Sequence, residues 1–101
     1  MIVYNVTIKV SWNIVEEWLV WMQEEHIPAV LATGKFDHST FYRLLDQDEA
    51  EGPTFVAQYS TSSLERYEEY NIEFAPLLQA GGRNKWGDQF IAFRTVMSSL
   101  P

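Results

Sequence analysis

The stretch "IVYNVTIKV", residues 2–10, decides how the rest of the chain is interpreted. It is rich in β-branched residues, which favour a strand. Successive side chains of a strand point to opposite faces, so one face here is wholly apolar and the other is mixed. The apolar face holds Ile2, Tyr4, Val6, Ile8 and Val10, and the mixed face holds Val3, Asn5, Thr7 and Lys9. We predict that helices cover the apolar face and that the mixed face points outward.

A helical pattern follows in "SWNIVEEWLVWMQEEHIPAV", residues 11–30. Asn13 and Glu16 have the spacing of a capping box, which predicts the start of a helix. Pro28 lacks an amide hydrogen and crowds the preceding turn, so we predict that the long helix ends near Ile27. Gly34 is then expected in the turn before the next strand.

Two more strands are predicted at residues 36–47 and 54–61, joined by the acidic loop "DEAEGP". Glycine and proline mark this loop as a connection, and its length suits a hairpin. Ser62 and Glu65 form a second capping box, which predicts the start of a second helix. Pro76 and the pair Gly81-Gly82 should kink or break that helix.

A last strand is predicted at residues 89–97, so the order is strand, helix, strand, strand, helix, strand. This is the ferredoxin-like βαββαβ arrangement, an α+β fold in which two helices cover one face of a four-stranded antiparallel sheet. The chain, residues 1–101, is expected to form a single domain. The outward strand positions are too apolar for water alone, so we predict a homodimer in which the open sheet faces meet.

The composition excludes several classes of function. With 14 Asp and Glu against 7 Lys and Arg, the net charge is −7. Nucleic acid and anionic membranes are bound through clusters of basic residues, which this chain lacks, so we expect neither partner. The chain has no cysteine, and no histidine stands at a metal-ligand spacing from a second ligand, so no metal site and no cofactor are predicted. A cytoplasmic protein is the expectation.

The order of elements, together with "MIVYNVTIKV", "EEHIPAVLATGKF" and "FIAFRT", resembles an uncharacterised bacterial family, a domain of unknown function grouped with the dimeric α/β-barrel superfamily. The resemblance covers essentially the whole chain. It implies the fold and a homodimer. It leaves the activity open, because that superfamily includes cofactor-free monooxygenases, haem-degrading enzymes, isomerases and ligand-sensing regulators.

His26 allows two interpretations. As a residue of the last helical turn, it would be protonated readily near the helix dipole and near Glu24 and Glu25, and its pKa would be raised. As a residue of an apolar cleft, it would have a lowered pKa and could act as a general base. The helix-end interpretation is preferred, and the sign of the pKa shift separates the two.

Other polar residues on the predicted strands either pair internally or meet a ligand. Asn5 and Arg94 join His26 as candidate catalytic residues, and the candidate ligand-binding residues are Trp21, Gln58 and Tyr59. The preferred function is an uncharacterised homodimeric α/β-barrel domain of unknown biochemical role. One alternative is a cofactor-free enzyme, monooxygenase- or isomerase-like, acting on a small apolar or aromatic substrate. Another is a small-ligand-binding or sensor domain, so whether the protein is an enzyme stays open.

Overall fold

A computed structural model describes all 101 residues. Its four strands are β1 (Ile2–Val10), β2 (His38–Arg43), β3 (Thr54–Thr61) and β4 (Phe90–Ser98). Its α-helices are α1 (Val15–Trp21), α2 (Ile27–Ala32), α3 (Leu64–Glu73) and α4 (Ala75–Trp86), and a π-helical segment, Met22–His26, joins α1 to α2. The strands form one antiparallel sheet in the order β2-β3-β1-β4, which confirms the predicted ferredoxin-like fold. None of the helices has the length and apolar character needed to cross a membrane.

The face of the sheet under the helices, which we call the covered face, carries the predicted apolar side of β1. Tyr4 lies opposite Tyr59 of β3 and Val96 of β4, and Val6 lies opposite Ala57 and Arg94. The covered-face residues of β1 from Tyr4 to Val10 are all buried. The alternation in the sequence therefore assigned this strand correctly.

Aromatic rings fill most of the space between the covered face and the helices. The ring of Tyr4 lies 5.4–5.9 Å from four others, those of Phe36, Tyr59, Tyr67 and Tyr70. Trp18 of α1 is 2% exposed and packs on Phe55 and Phe41 at centroid distances of 5.3 and 6.1 Å. Buried rings of this size supply much of the stability of a small core.

The opposite side of the sheet, which we call the open face, has no helix over it. A row of polar side chains crosses its centre, where Gln58 donates to Asn5 and accepts from Thr40, and Asn5 donates to Thr7. The edge strand β4 is different, because its open-face residues are large, apolar and exposed: Ile91, Phe93 and Met97. Even Val96, on the covered face, is 42% exposed, so the helices leave this edge uncovered.

The first helical region departs from the prediction at both ends. Asn13 does not cap it, since the N-cap is Ile14 and no side chain caps that end. Pro28 does not end it either, because the proline lies in the first turn of α2, where its missing amide hydrogen has no partner to lose. The turn at Gly34 is confirmed by a φ of 77°.

The second helical region is also corrected in detail. The capping residue is Ser63, one position later than predicted, and its hydroxyl accepts from the amide of Arg66 at 3.3 Å. The break next to Pro76 is confirmed, since α3 ends before it and α4 begins at Ala75. Gly81-Gly82 does not break the helix, because both glycines lie within α4.

Candidate functional site

A cleft of about 50 Å³ lies between the covered face and the helices. Strands β1, β3 and β4 form its floor, and α1, the π-helical segment and α4 form its roof. Of the 17 lining residues 13 are hydrophobic, so the few polar groups decide what the cleft can do. Those that lie on the wall are His26, Gln79 and Arg94.

The π-helical segment places His26 in the cleft. The amide of Ile27 donates to the carbonyl of Met22, five residues back, instead of four. In an α-helix, residues five apart point about 140° away from each other, whereas a turn closed five residues apart brings them to the same side. Trp21 and His26 are such a pair, and their rings stack at 4.8 Å with an angle of 23°. Trp86 meets the ring of Trp21 edge-on at 5.9 Å.

Because His26 lies in the middle of the helical region and against an apolar wall, the helix-end interpretation is wrong. Burial and, as the smaller cause, the positive charge of Arg94 together lower the pKa of His26 to about 4. The imidazole is therefore neutral at physiological pH and can accept a proton.

Arg94 reaches the cleft from β4, on the covered face opposite Val6. Its guanidinium has no carboxylate partner, whereas Lys35, Arg43 and Arg66 each pair with one. Within one chain Arg94 therefore forms no ion pair. Arg94 provides the one full positive charge on the wall of the cleft, since His26 is neutral there.

Three tyrosines line the inner end of the cleft: Tyr4, Tyr59 and Tyr70. Burial raises the pKa of each phenol, and neighbouring tyrosines raise those of Tyr59 and Tyr70 further. Arg94 partly opposes the effect of burial at Tyr4 and at Tyr70. All three phenols therefore stay protonated at neutral pH and can serve as hydrogen-bond donors.

The structure brings together four of the residues singled out from the sequence, His26, Arg94, Trp21 and Tyr59. It does not bring Asn5 or Gln58 to the cleft, because both lie on the open face and bond to each other at 3.1 Å. Tyr4, Tyr70 and Gln79 were missed. The alternation of β1 had already placed Tyr4 on the covered face, so that residue could have been found.

The comparisons with known proteins support the fold. The family described as "Domain of unknown function (DUF4286)" matches residues 1–100. No curated protein matches the chain.

Several solved structures share the architecture. A dimeric ferredoxin-like protein from an uncultured marine organism has a TM-score of 0.71 at 10% identity, over 100% of this chain and 96% of that one. An EthD (ethyl tert-butyl ether) family protein of Bacillus halodurans C-125 has a TM-score of 0.68 at 8% identity, over 99% of this chain and 100% of that one. SnoaB, a cofactor-independent oxygenase of Streptomyces nogalater, has a TM-score of 0.61 at 10% identity, over 97% of this chain and 91% of that one. At such identities these likenesses show the fold alone.

Proposed function

The chain belongs to the DUF4286 family, and from the geometry of its cleft we propose that it binds a small, mostly apolar or aromatic molecule between helices and sheet. One observation carries this proposal: an apolar cleft presents a neutral imidazole and a guanidinium without a carboxylate partner. The imidazole is partly exposed and Arg94 is exposed, so a ligand can reach both groups from the mouth of the cleft.

A neutral imidazole in the same cleft as the guanidinium of Arg94 supports a second candidate function, cofactor-free proton transfer. Neutral His26 would accept a proton from a bound hydroxyl or an acidic C–H, and Arg94 would stabilise the resulting anion. Return of the proton to another atom would give an isomerase-like reaction. With dioxygen as co-substrate, an activated CH2 group would be oxidised to a carbonyl in a monooxygenase-like reaction, in which one oxygen atom stays on the carbon, the other leaves as water and the substrate supplies the electrons.

We further propose that the protein acts as a homodimer. The exposed apolar residues of β4 at Ile91, Phe93 and Met97 would be covered by a second copy, because a monomer leaves them in water. That a similar solved structure is a dimeric ferredoxin-like protein supports this assembly. Sedimentation at micromolar concentration should give twice the mass of the chain, and a monomer there would refute it.

Ligand binding is tested with a thermal-shift screen of small aromatic compounds, followed by tryptophan fluorescence titration of the hits. Ala92 lines the cleft, so Ala92→Phe should fill it and abolish binding. Ala32 is exposed at the end of α2, so Ala32→Phe serves as the matched control that keeps binding. No binding by the wild type, or full binding by folded Ala92→Phe, would contradict the proposal.

A further inference from the structure

Two exposed arginines, Arg83 of α4 and Arg94 of β4, line one depression between α4 and β4 at the mouth of the cleft. Neither has a carboxylate within 4.0 Å, and the same holds for Lys9 and Lys85. In a chain with seven Lys and Arg against fourteen Asp and Glu, two of the four unpaired positive charges thus share one depression. Asp88 is the sole acidic residue on its wall, and it forms no salt bridge with either arginine.

This depression is continuous with the apolar cleft. Gln79, Phe90, Ala92 and Arg94 line both of them, so Arg94 stands where the apolar wall meets the open mouth. No Asp or Glu side chain lines the cleft itself. A molecule with its ring at the opening of the cleft would therefore have its polar end beside the guanidinium of Arg94, and Asp88 would be the one carboxylate on the surrounding wall.

Building on the proposed ligand-binding role of the cleft, we propose that its ligand is an organic anion, a cyclic or aromatic carboxylate bound through Arg94. The ring lies where the cleft opens into the larger depression, against Phe90 and Ala92, because the cleft of about 50 Å³ is by itself too small for a benzene ring, and the carboxylate faces Arg94. A guanidinium offers a planar fork of N–H donors that matches a carboxylate in two parallel hydrogen bonds. Arg83 adds a second positive charge at the mouth, which attracts the anion to an otherwise acidic protein.

The test compares ligands that differ in charge and share a ring. Dissociation constants are measured by tryptophan fluorescence and calorimetry for benzoate against benzamide, and for 2-naphthoate against 2-naphthamide. The wild type should bind at least one carboxylate more tightly than its amide by about tenfold or more. Raising the salt concentration should weaken binding of the carboxylate and leave that of the amide unchanged.

Three variants test whether Arg94 causes the preference for the carboxylate over the amide. Arg94→Gln should remove it and leave the affinity for the amide within about twofold of the wild type. Arg94→Lys keeps the positive charge and loses the planar set of N–H donors, so it should retain part of the preference for the carboxylate. The lysine variant also tests the role of Arg94 if the glutamine variant fails to fold. Lys85 lies on α4 with Arg83 and lines neither the cleft nor the depression, so Lys85→Gln should behave as the wild type.

Each of the remaining outcomes contradicts either the anion proposal or the proposed ligand-binding role. Equal binding of carboxylate and amide overturns the anion proposal and leaves the ligand-binding role standing, as would be seen if a carboxylate of a second copy neutralised Arg94. A preference that survives in folded Arg94→Gln also overturns it. The anion proposal is also overturned if other neutral aromatic compounds bind and none of the four probes does. If no compound of any kind binds, the proposed function itself fails.

Discussion

The two faces of the sheet are built from the same four strands and are stabilised in opposite ways. On the covered face, rings such as those of Tyr4, Trp18 and Tyr59 pack together and exclude water. On the open face, a row of hydrogen bonds through Gln58 and Asn5 occupies the centre, and the large apolar residues lie out at β4. One face is complete within a single chain, whereas the other is complete only at its centre.

The covered face is itself incomplete at one place, and that place is the cleft. The rings pack closely from β2 to β1, but towards β4 the wall carries His26, Gln79 and Arg94. Both incomplete regions therefore adjoin the same edge strand. Both proposals therefore place their contact at β4, a ligand on one side and a second copy on the other.

The largest effect is expected where the covered face is densest. Trp18→Ala should lower the free energy of unfolding by ~3–5 kcal/mol, because it removes a buried ring and leaves a cavity. Trp12 is 48% exposed, so Trp12→Ala should cost about 1 kcal/mol or less, mainly through its hydrogen bond to the carbonyl of Glu49. Urea denaturation measures both, and similar losses would show that the covered face is less tightly packed than described.

The next effect tests the open face. Phe93 is 63% exposed in one chain, so Phe93→Asp should leave the monomer folded and weaken the proposed dimer. We expect the dissociation constant to rise roughly 30-fold or more, or ~2 kcal/mol or more. Ile72→Asp is the control, because Ile72 lies on α3 and is 77% exposed. Sedimentation equilibrium that shows the same dimer for both would mean that no partner contacts this part of β4.

A third effect tests the cleft through pH. The pKa of His26 is lowered to about 4 from an unfolded value near 6.5, so its neutral form is favoured in the folded state. The resulting contribution of His26 to the stability of the protein is fully present above its unfolded pKa and is lost as the pH falls towards its folded pKa. Between pH 7.5 and 4.5 the wild type should lose on the order of 2 kcal/mol relative to His26→Gln.

His38 provides the control for that measurement, because it lies exposed on β2. His38→Gln is measured over the same range of pH, so that the effect of removing a histidine outside the cleft is known. A wild type that instead gained stability relative to His26→Gln as pH fell would give His26 a raised pKa and return it to a helix-end role.

The smallest effect separates two adjacent glycines of α4. A Cβ at Gly81 would meet no atom within 4 Å, so Gly81→Ala should stabilise the protein by ~0.5–1 kcal/mol through the unfolded chain and helix propensity. A Cβ at Gly82 would lie 3.4 Å from the ring of Trp21, in the roof of the cleft. Gly82→Ala should gain less or nothing, and thermal unfolding that ranks the two the other way would contradict the described contact.

The sequence predicted the sheet well and the helices less well. Strand β1 was assigned residue by residue, because alternation is a local pattern that a half-buried sheet enforces. Gly81-Gly82 misled the prediction of α4, since glycine lowers helix propensity on average but both residues lie within the helix here, with Gly82 beside Trp21. That error hid Gln79, because the inward face of a helix expected to break could not be assigned.

His26 shows what local patterns could not supply. Its neighbours, Glu24, Glu25 and Pro28, all favour the end of a helix, and the preferred interpretation followed them. The helical region instead continues through a shift of one residue in its hydrogen bonding, and no residue type specifies such a shift. This shift is accompanied by packing of Trp21 between His26 and Trp86, and Trp86 is distant in sequence from the other two.

The π-helical segment also gives a way to align related sequences. A chain with one residue fewer between Met22 and His26 could form an uninterrupted α-helix at this place. Its histidine would then follow the equivalent of Trp21 by four residues instead of five, and residues four apart lie on the same face of an α-helix, so the imidazole would stay in the cleft. Relatives with and without the extra residue should therefore be aligned with a single-residue gap here, because an alignment without the gap would pair this histidine with a residue of different position.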